Sequence, residues 1–216
     1  AANNSPTHTQ SGNNSNTYAG ILQDGVIEGC KLALVKNGTG DLKLSGHNTY
    51  SGGTTVNGGT ITLANQTGFG TGNVFLASTT MIQQTGFDGS TPAGAIANTI
   101  TLGGGDALSG GEVLFNIPFT GFSNMWLTGD VSGTGRIRVI SDAGGLALTL
   151  SGAKTFTGGI VQSSRSINVN GTQTNQYPTI QIDDVGSLGS GTFHALINGS
   201  STTIGVLRPI ADLSAI

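Results

Sequence analysis

The chain contains one stretch of sequence twice. Residues 44–63 read LSGHNTYSGGTTVNGGTITL, and residues 150–169 read LSGAKTFTGGIVQSSRSINV. The matched glycines Gly46 and Gly152 lie 106 positions apart (152 − 46 = 106). Weaker matches on both sides extend the similarity to two blocks, residues 20–76 and 127–196, with an insertion in the second block. A repeat of this kind is typical of chains that stack similar units along one axis.

Within each block, apolar residues alternate with polar ones, which predicts short β-strands with one buried face. Leu42 and Leu44 flank Lys43, and Ile167 and Val169 show the same alternation in the second block. Each run ends after about four to six residues at a Gly, Asn or Asp, which are turn-forming residues. No stretch has the three-and-four apolar spacing of a helix. The polar strand positions are mostly Thr, Ser and Asn, which stack in ladders but protect an isolated sheet edge poorly.

These features favour a solenoid over a sandwich or a barrel. The predicted fold is all-β: a single right-handed parallel β-helix of about nine rungs, with coils of roughly 20–25 residues. It covers residues 19–216, after a polar N-terminal leader or capping segment at residues 1–18. Inward-facing Leu, Ile and Val residues are expected to fill the interior.

Residues 34–63, LVKNGTGDLKLSGHNTYSGGTTVNGGTITL, strongly resemble the autotransporter passenger-associated strand repeat. The second copy is degenerate and lacks the Lys of the pattern. The resemblance implies a secreted or surface-exposed parallel β-helix, often the stalk of a larger protein, and gives the repeat residues a structural role. The predicted structural residues are Leu42, Leu44, Gly46, Tyr50, Gly52, Gly53, Leu150, Gly152, Phe156, Gly158 and Gly159.

Composition excludes several classes of protein. Only 9% of residues are charged and 36% are hydrophobic, whereas disordered chains are usually rich in charge. The eight Lys and Arg residues and a net charge of −3 cannot form the basic stripe that nucleic acid requires. No apolar run approaches the ~18 residues that span a bilayer, so we expect no membrane insertion by this segment. Cys30 is the single cysteine and is predicted to be a buried strand residue; an intermolecular disulfide and a lipid anchor are the alternatives.

The sequence predicts no catalytic residue, no metal site and no cofactor. Asp183 and Asp184 are adjacent, and neighbours on a strand point to opposite faces, so they cannot act as a catalytic pair there. His8, His47 and His194 lack metal-binding spacing. The segment LGGGDALSGGE (102–112) is a single imperfect copy of a glycine–aspartate calcium turn, and is interpreted as a plain turn.

Aromatic residues offer the remaining candidates for a binding site. Tyr50 and Phe156 occupy matched positions before a Gly-Gly pair and are expected to pack at a coil corner. Sugar stacking by Tyr50 or by Trp126 is the alternative hypothesis.

The favoured function is a non-catalytic extracellular structural or adhesive β-helix module of a bacterial surface protein or fibre. Open solenoid ends predict self-association or flanking β-helix rungs, and host or matrix glycans are possible partners. The alternative is a carbohydrate-active β-helix that binds or cleaves polysaccharides.

Overall fold

The computed structural model describes most of the chain up to residue 196, and one strand beyond it. The described ranges are 6–87, 94–104, 111–117, 124–141, 147–163, 165–169, 172–176, 178–182, 185–191, 193–196 and 207–209. No α-helix occurs in these ranges, and a short 3₁₀ helix covers Val185–Leu188. Across the same ranges, we find no helix with the length and apolarity to cross a membrane.

The described residues contain twenty short strands, as the alternating pattern predicts. They are β1 (Thr7–Gln10), β2 (Asn16–Tyr18), β3 (Ala33–Lys36), β4 (Asp41–Leu44), β5 (Thr54–Val56), β6 (Thr60–Leu63), β7 (Val74–Leu76), β8 (Met81–Gln84), β9 (Ile100–Leu102), β10 (Glu112–Ile117), β11 (Asn124–Leu127), β12 (Val131–Gly133), β13 (Arg136–Ser141), β14 (Ala147–Leu150), β15 (Ile160–Ser163), β16 (Arg165–Val169), β17 (Thr172–Gln176), β18 (Thr179–Ile182), β19 (Phe193–Leu196) and β20 (Leu207–Pro209). The prediction of an all-β chain is confirmed.

The strands stack into three parallel sheets that form the sides of a solenoid. A six-stranded sheet has the order β1-β3-β5-β7-β9-β12, and an eight-stranded sheet has the order β2-β4-β6-β8-β10-β13-β15-β19. A four-stranded sheet, β11-β14-β18-β20, forms the third side from β11 onward. Every strand pair in these three sheets is parallel, so each coil is hydrogen-bonded to the next through its backbone. The predicted β-solenoid is confirmed.

Coil length varies along the chain. In the first repeat, Asn37 is hydrogen-bonded to Asn57 on the following coil, and the two are 20 residues apart. Further on, Gln83 of β8 is the register partner of Asn116 of β10, and these two are 33 residues apart. Because several coils are longer than predicted, the described sheets hold six and eight strands, fewer than the predicted nine rungs.

Residues 7–18 form two strands at one end of the stack. β1 pairs with β3, and β2 pairs with β4, both in parallel. This segment, predicted to be a leader or a capping segment, is thus built like a coil, and among the described residues each of its strands has one neighbouring strand.

The second repeat copy departs from the first after its Gly-Gly pair. Ile61 lies in the eight-stranded sheet, but its sequence counterpart Ile167 lies in the antiparallel hairpin β16–β17, outside the stack. In the first copy Gly59, with a φ of 72°, turns the chain from β5 into β6. Arg165 replaces Gly59 in the second copy, and a residue with a Cβ rarely adopts that backbone conformation. The missing glycine corner explains why the chain leaves the stack there.

A continuous apolar core fills the solenoid. The buried residues that contribute to it from successive coils include Leu34, Leu42, Leu44, Val56, Ile61, Leu63, Val74, Leu76, Ile82, Ile100, Leu102, Val113, Phe115, Ile137, Val139, Leu148 and Leu150.

Candidate functional site

The first repeat closes its coil with a buried lysine. Lys36 has no exposed surface, and its Nζ donates to the carbonyl oxygens of Asn37 at 3.1 Å, Gly38 at 3.0 Å and Gly58 at 3.2 Å. Gly58 belongs to the next coil, because Lys36 pairs with Val56. One amino group therefore ties the corners of two coils together. Burial lowers the pKa of Lys36, and the negative charge of Asp41 opposes that shift.

Asn48 joins three successive coils. It is 1% exposed; its Oδ1 accepts a hydrogen bond from the Leu22 amide at 2.9 Å, and its Nδ2 donates to the Gly68 carbonyl at 2.8 Å. Leu22 lies one coil before Asn48 and Gly68 one coil after it. The side chain thus satisfies a donor and an acceptor where the corner has no strand pairing.

Two further buried side chains form hydrogen bonds between neighbouring coils later in the chain. Asn98 donates to the carbonyls of Gly70 and Gly72, at 3.1 and 2.8 Å. Lys154, 5% exposed, donates to the carbonyls of Gly129, at 2.8 Å, and of Ser151. Buried side-chain nitrogens at the corners are therefore a general means of holding this solenoid together.

Tyr50 is a core residue. It has no exposed surface, and its hydroxyl lies 2.5 Å from Thr54 Oγ1, which also bonds to the Phe69 carbonyl. Burial raises the pKa of Tyr50, because the phenolate would lose its hydration. Its counterpart Phe156 is also fully buried. The ring of Tyr50 therefore has no face open to a ligand, which removes the basis for the stacking hypothesis at this residue.

The glycines of the repeat lie where neighbouring coils come closest. A Cβ on Gly52 would lie 2.4 Å from the carbonyl oxygen of Leu32, and one on Gly46 would lie 1.9 Å from that of Gly20. Gly53 has a φ of 90°, a conformation that side chains disfavour. In the second copy Gly158 approaches Gly135 in the same way, and Gly152 and Gly159 also have positive φ.

The two repeat copies lie on different sides of the solenoid. β4, which carries Leu42 and Leu44, is in the eight-stranded sheet, whereas its sequence counterpart β14, which carries Leu150, is in the four-stranded sheet. The segment after β4 leads into the six-stranded sheet, and the segment after β14 leads into the eight-stranded one. The repeat is therefore a local strand–corner unit that any side can use.

Polar side chains form a ladder across the outer face of the eight-stranded sheet. Thr62 donates to Asp41 at 2.9 Å, Gln83 donates to Thr62 at 2.6 Å, and Asn116 donates to Gln83 at 3.2 Å. Four successive coils are linked in this way.

An ion-pair cluster continues the polar surface of this sheet. Glu112 on β10 accepts hydrogen bonds from Arg136, at 3.4 Å, and from Arg138, both on the neighbouring strand β13. Arg138 also donates to Ser163 at 2.7 Å, one coil further. These charges are engaged in linking β10, β13 and β15.

The outer face of the six-stranded sheet contains a groove. It has a volume of about 420 Å³ and lies where the chain enters this sheet on successive coils. Gly52, Gly53 and Gly72 line it, together with the side chains of Thr55, Asn73 and Phe75. Phe75 occupies the outward position of β7 and is 37% exposed.

The structure does not bring the sequence-predicted binding residues together. Trp126 lies half-buried on β11 of the four-stranded sheet, and its Nε1 donates to Ser151 Oγ at 2.7 Å. Tyr50 lies next to β5 of the six-stranded sheet, so the two residues lie near different sheets. A stacking role for Trp126 stays a prediction. Phe75 was missed, although an aromatic residue at a polar position of the alternation is a signal that sequence reasoning can use.

The remaining candidates show no convergence in the part of the chain that the structure describes. His47 lies 2.8 Å from Thr67 Oγ1, and the ring of His8 lies against Tyr18. No cluster of three or more His, Cys, Asp or Glu residues occurs there. Asp183, Asp184, residues 105–110 and the His194 side chain lie outside the described residues.

The prediction that Cys30 is a buried strand residue is wrong. The strand begins at Ala33, and Cys30 is half-buried in a turn that Gly25 and Ile27 close by backbone hydrogen bonds. The strand that the apolar pattern predicts from Cys30 onward begins only at Ala33, after a turn that contains Gly29 at a φ of 82°.

Comparison with known proteins identifies the repeat. The passenger-associated-transport-repeat family matches residues 34–63 and 143–161, which overlap the two segments that the sequence repeats. The chain is also similar to the adhesin BmaC autotransporter of Brucella suis biovar 1 (strain 1330), with 33% identity over 142 residues. That match covers 61% of this chain and 4% of the relative, so the chain spans only a small part of the relative's length. No solved structure gives a significant match.

The first matched segment contains Lys36 and Asn48, and the second contains Lys154, whose side chains form hydrogen bonds between neighbouring coils. The chain therefore contains two segments that match the passenger-associated-transport-repeat, set in a parallel β-solenoid.

Proposed function

We propose that this chain is a non-catalytic structural and adhesive module of a secreted or surface-exposed bacterial passenger. The observation that carries the proposal is that three prominent side chains of the first repeat point into the core or into coil–coil hydrogen bonds, not into a surface site. Lys36, Asn48 and Tyr50 are all buried and satisfied within the stack. A repeat used in this way extends a rod and holds its outer faces in a fixed geometry.

The outer faces are the surfaces available to partners. The relative is an adhesin by name, which supports an adhesive role for this chain. Among the described residues, neither the groove beside Phe75 nor a smaller groove at residues 66–71 and 95–98 has an acidic residue in its lining. Glycoside hydrolysis commonly requires two carboxylates across the scissile bond, so these grooves support a binding role better than a cleaving one.

End-to-end contact with another β-helix is the second part of the proposal. β1 and β2 each have one neighbouring strand, so their outer edges carry backbone groups without a strand partner among the described residues. Thr7, His8 and Thr9 of β1 are exposed. Flanking coils of a longer passenger or a second copy of the chain would complete this edge.

The adhesive role is tested by coating beads with the chain and measuring their retention on cultured cells and on extracellular matrix. Retention above that of beads coated with an unrelated solenoid supports the proposal, and equal retention refutes it. Release of reducing ends from a polysaccharide panel would replace the proposal with the enzymatic alternative.

Self-association has a separate test. Light scattering and electron microscopy of the isolated chain are expected to show particles longer than one solenoid, in numbers that rise with concentration. The substitution Thr9→Pro removes an edge N–H and should reduce them. A particle that stays monomeric at high concentration contradicts this part.

A further inference from the structure

We propose that the groove beside Phe75 binds a short neutral glycan. This inference rests on the adhesive function proposed above and assigns to it a site and a class of ligand. The groove lies on the outer face of the six-stranded sheet and has a volume of about 420 Å³, within the range of small-molecule sites.

Phe75 provides the stacking surface. At 37% exposure it is an outward-facing aromatic residue with Thr55 and Thr101 as its register partners on the coils before and after. The ring lies against Gly103, where a Cβ would come within 2.9 Å of Phe75 Cζ. A pyranose ring presents a face of C–H groups, which packs on the face of an aromatic ring while its hydroxyls project sideways.

Hydrogen-bonding groups stand where those hydroxyls would project. Adjacent coils are about 4.8 Å apart, so the hydroxyl of Thr55 lies within one sugar ring's width of Phe75. The Asn73 amide lines the same groove and is exposed. Neither side chain forms a hydrogen bond within the described part of the chain, and each can both donate and accept, as vicinal sugar hydroxyls require.

Backbone packing keeps the groove open. A Cβ on Gly52 would lie 2.4 Å from the Leu32 carbonyl oxygen, and one on Gly72 would lie 2.5 Å from the Gly53 amide nitrogen. Side chains are therefore excluded from the floor for reasons of coil stacking. A groove that exists before the ligand arrives costs little reorganisation on binding.

The charge around the groove selects a neutral ligand. No described residue of the lining is charged. Behind it, the Asp24 carboxylate accepts hydrogen bonds from Ser51 Oγ at 2.6 Å, the Ser51 amide at 2.9 Å and the Leu32 amide at 2.8 Å. The Ser51 side chain, the Ser51 amide and the Leu32 amide together lower the pKa of Asp24, so the carboxylate stays ionised. Lys31 lies close enough to contribute to the same shift, so its positive charge offsets that of Asp24, and the preference for neutral sugars over uronic acids and sulfated sugars rests on the uncharged lining.

The test is ligand-observed NMR followed by titration with neutral oligosaccharides of three to six units, made of glucose, galactose or N-acetylglucosamine. Phe75→Leu should weaken binding roughly fivefold, because it keeps an apolar residue but loses the aromatic face. Phe75→Tyr should retain binding within about twofold. Thr55→Val should weaken binding, whereas the matched control Thr9→Val, in the same outward row at the end of the stack, should not.

Several outcomes overturn the inference. These are the absence of saturation transfer to every neutral oligosaccharide, equal affinity of Phe75→Leu and the unmodified chain, and tighter binding of acidic oligosaccharides. Circular dichroism and melting curves identify variants that fail to fold. If the chain adheres to matrix but binds no neutral glycan, the groove assignment fails and the adhesive function stands; if it adheres to nothing, the function itself fails.

Discussion

Replacing Asn48 with Ala tests the role of the repeat in joining coils. The change removes the acceptor of the Leu22 amide and the donor to the Gly68 carbonyl, both buried. Each unsatisfied buried group costs about 1–3 kcal/mol, so the loss of both partners should lower the stability by roughly 2–6 kcal/mol. For a chain of this size, that loss corresponds to a fall in Tm of about 4–24 °C.

The assay combines a melting curve with amide hydrogen exchange. Solenoids can unfold coil by coil, so a local readout is needed beside the global one. The Leu22 amide should exchange faster in Asn48→Ala than in the parent chain. The matched control is Asn57→Ala, because Asn57 is an exposed corner residue whose side chain bonds to Asn37, at 2.9 Å, and its loss should cost under about 0.5 kcal/mol. Equal melting of the two variants, or unchanged protection at Leu22, refutes the reasoning.

Three further predictions follow from the packing and the charges. Gly52→Ala should prevent correct stacking, because its Cβ would lie 2.4 Å from the Leu32 carbonyl oxygen, whereas Gly20→Ala meets only the flexible Tyr18 side chain; soluble yield and circular dichroism compare the two, and similar yields would contradict the prediction. The raised pKa of Tyr50 means that the folded chain keeps a proton that the unfolded chain loses above about pH 10, so stability should fall as pH rises past that value. In Tyr50→Phe, Tm should fall less steeply as pH rises, and an unchanged slope of Tm against pH would argue against a buried hydroxyl. Glu112→Gln should lower Tm by a few degrees, because Arg136 and Arg138 then lose their shared carboxylate, and the salt dependence of Tm should decrease with it; a variant that melts like the parent would show that the cluster is dispensable.

Local patterns in the sequence predict the strands and the stacking of this protein well. Alternation at Leu42, Lys43 and Leu44 marks a strand with a buried face, and glycine pairs mark the corners. Both signals come from residues within a few positions of each other. The stacked arrangement follows from the recurrence of the same strand–corner text along the chain, which is typical of coils that stack on their neighbours.

The side of the solenoid that a strand joins is less accessible to sequence reasoning. It depends on the length of chain since the previous coil, which varies from 20 residues between Asn37 and Asn57 to 33 residues between Gln83 and Asn116. The two repeat copies therefore occupy different sheets despite matching sequences. Comparison of the two repeat copies shows that an arginine replaces Gly59 in the second copy. That this change takes the chain out of the stack could be inferred only from the backbone angle at Gly59 in the structure.

The sequence analysis did not predict the groove beside Phe75, since its candidates for ligand stacking were Tyr50 and Trp126. Tyr50 stood out in the sequence because it belongs to the repeat, and for the same reason the structure buries it. Phe75 lies outside the repeat's fixed positions, at the outward position of β7, where its neighbours Thr55 and Thr101 come from other coils. The aromatic residue at an outward strand position is a signal within one segment, but the residues that complete the surface come from other coils and leave no signal there.

The most direct test of the stacked-coil account is one distance. Thr9 and Ser132 occupy the same outward row of the six-stranded sheet, separated by five strand steps. Spin labels at Thr9→Cys and Ser132→Cys, in a Cys30→Ser background, should give a narrow distance distribution near roughly 24 Å, or about 4.8 Å per step. A broad distribution, or one centred beyond about 40 Å, would contradict a parallel stack of coils in this register.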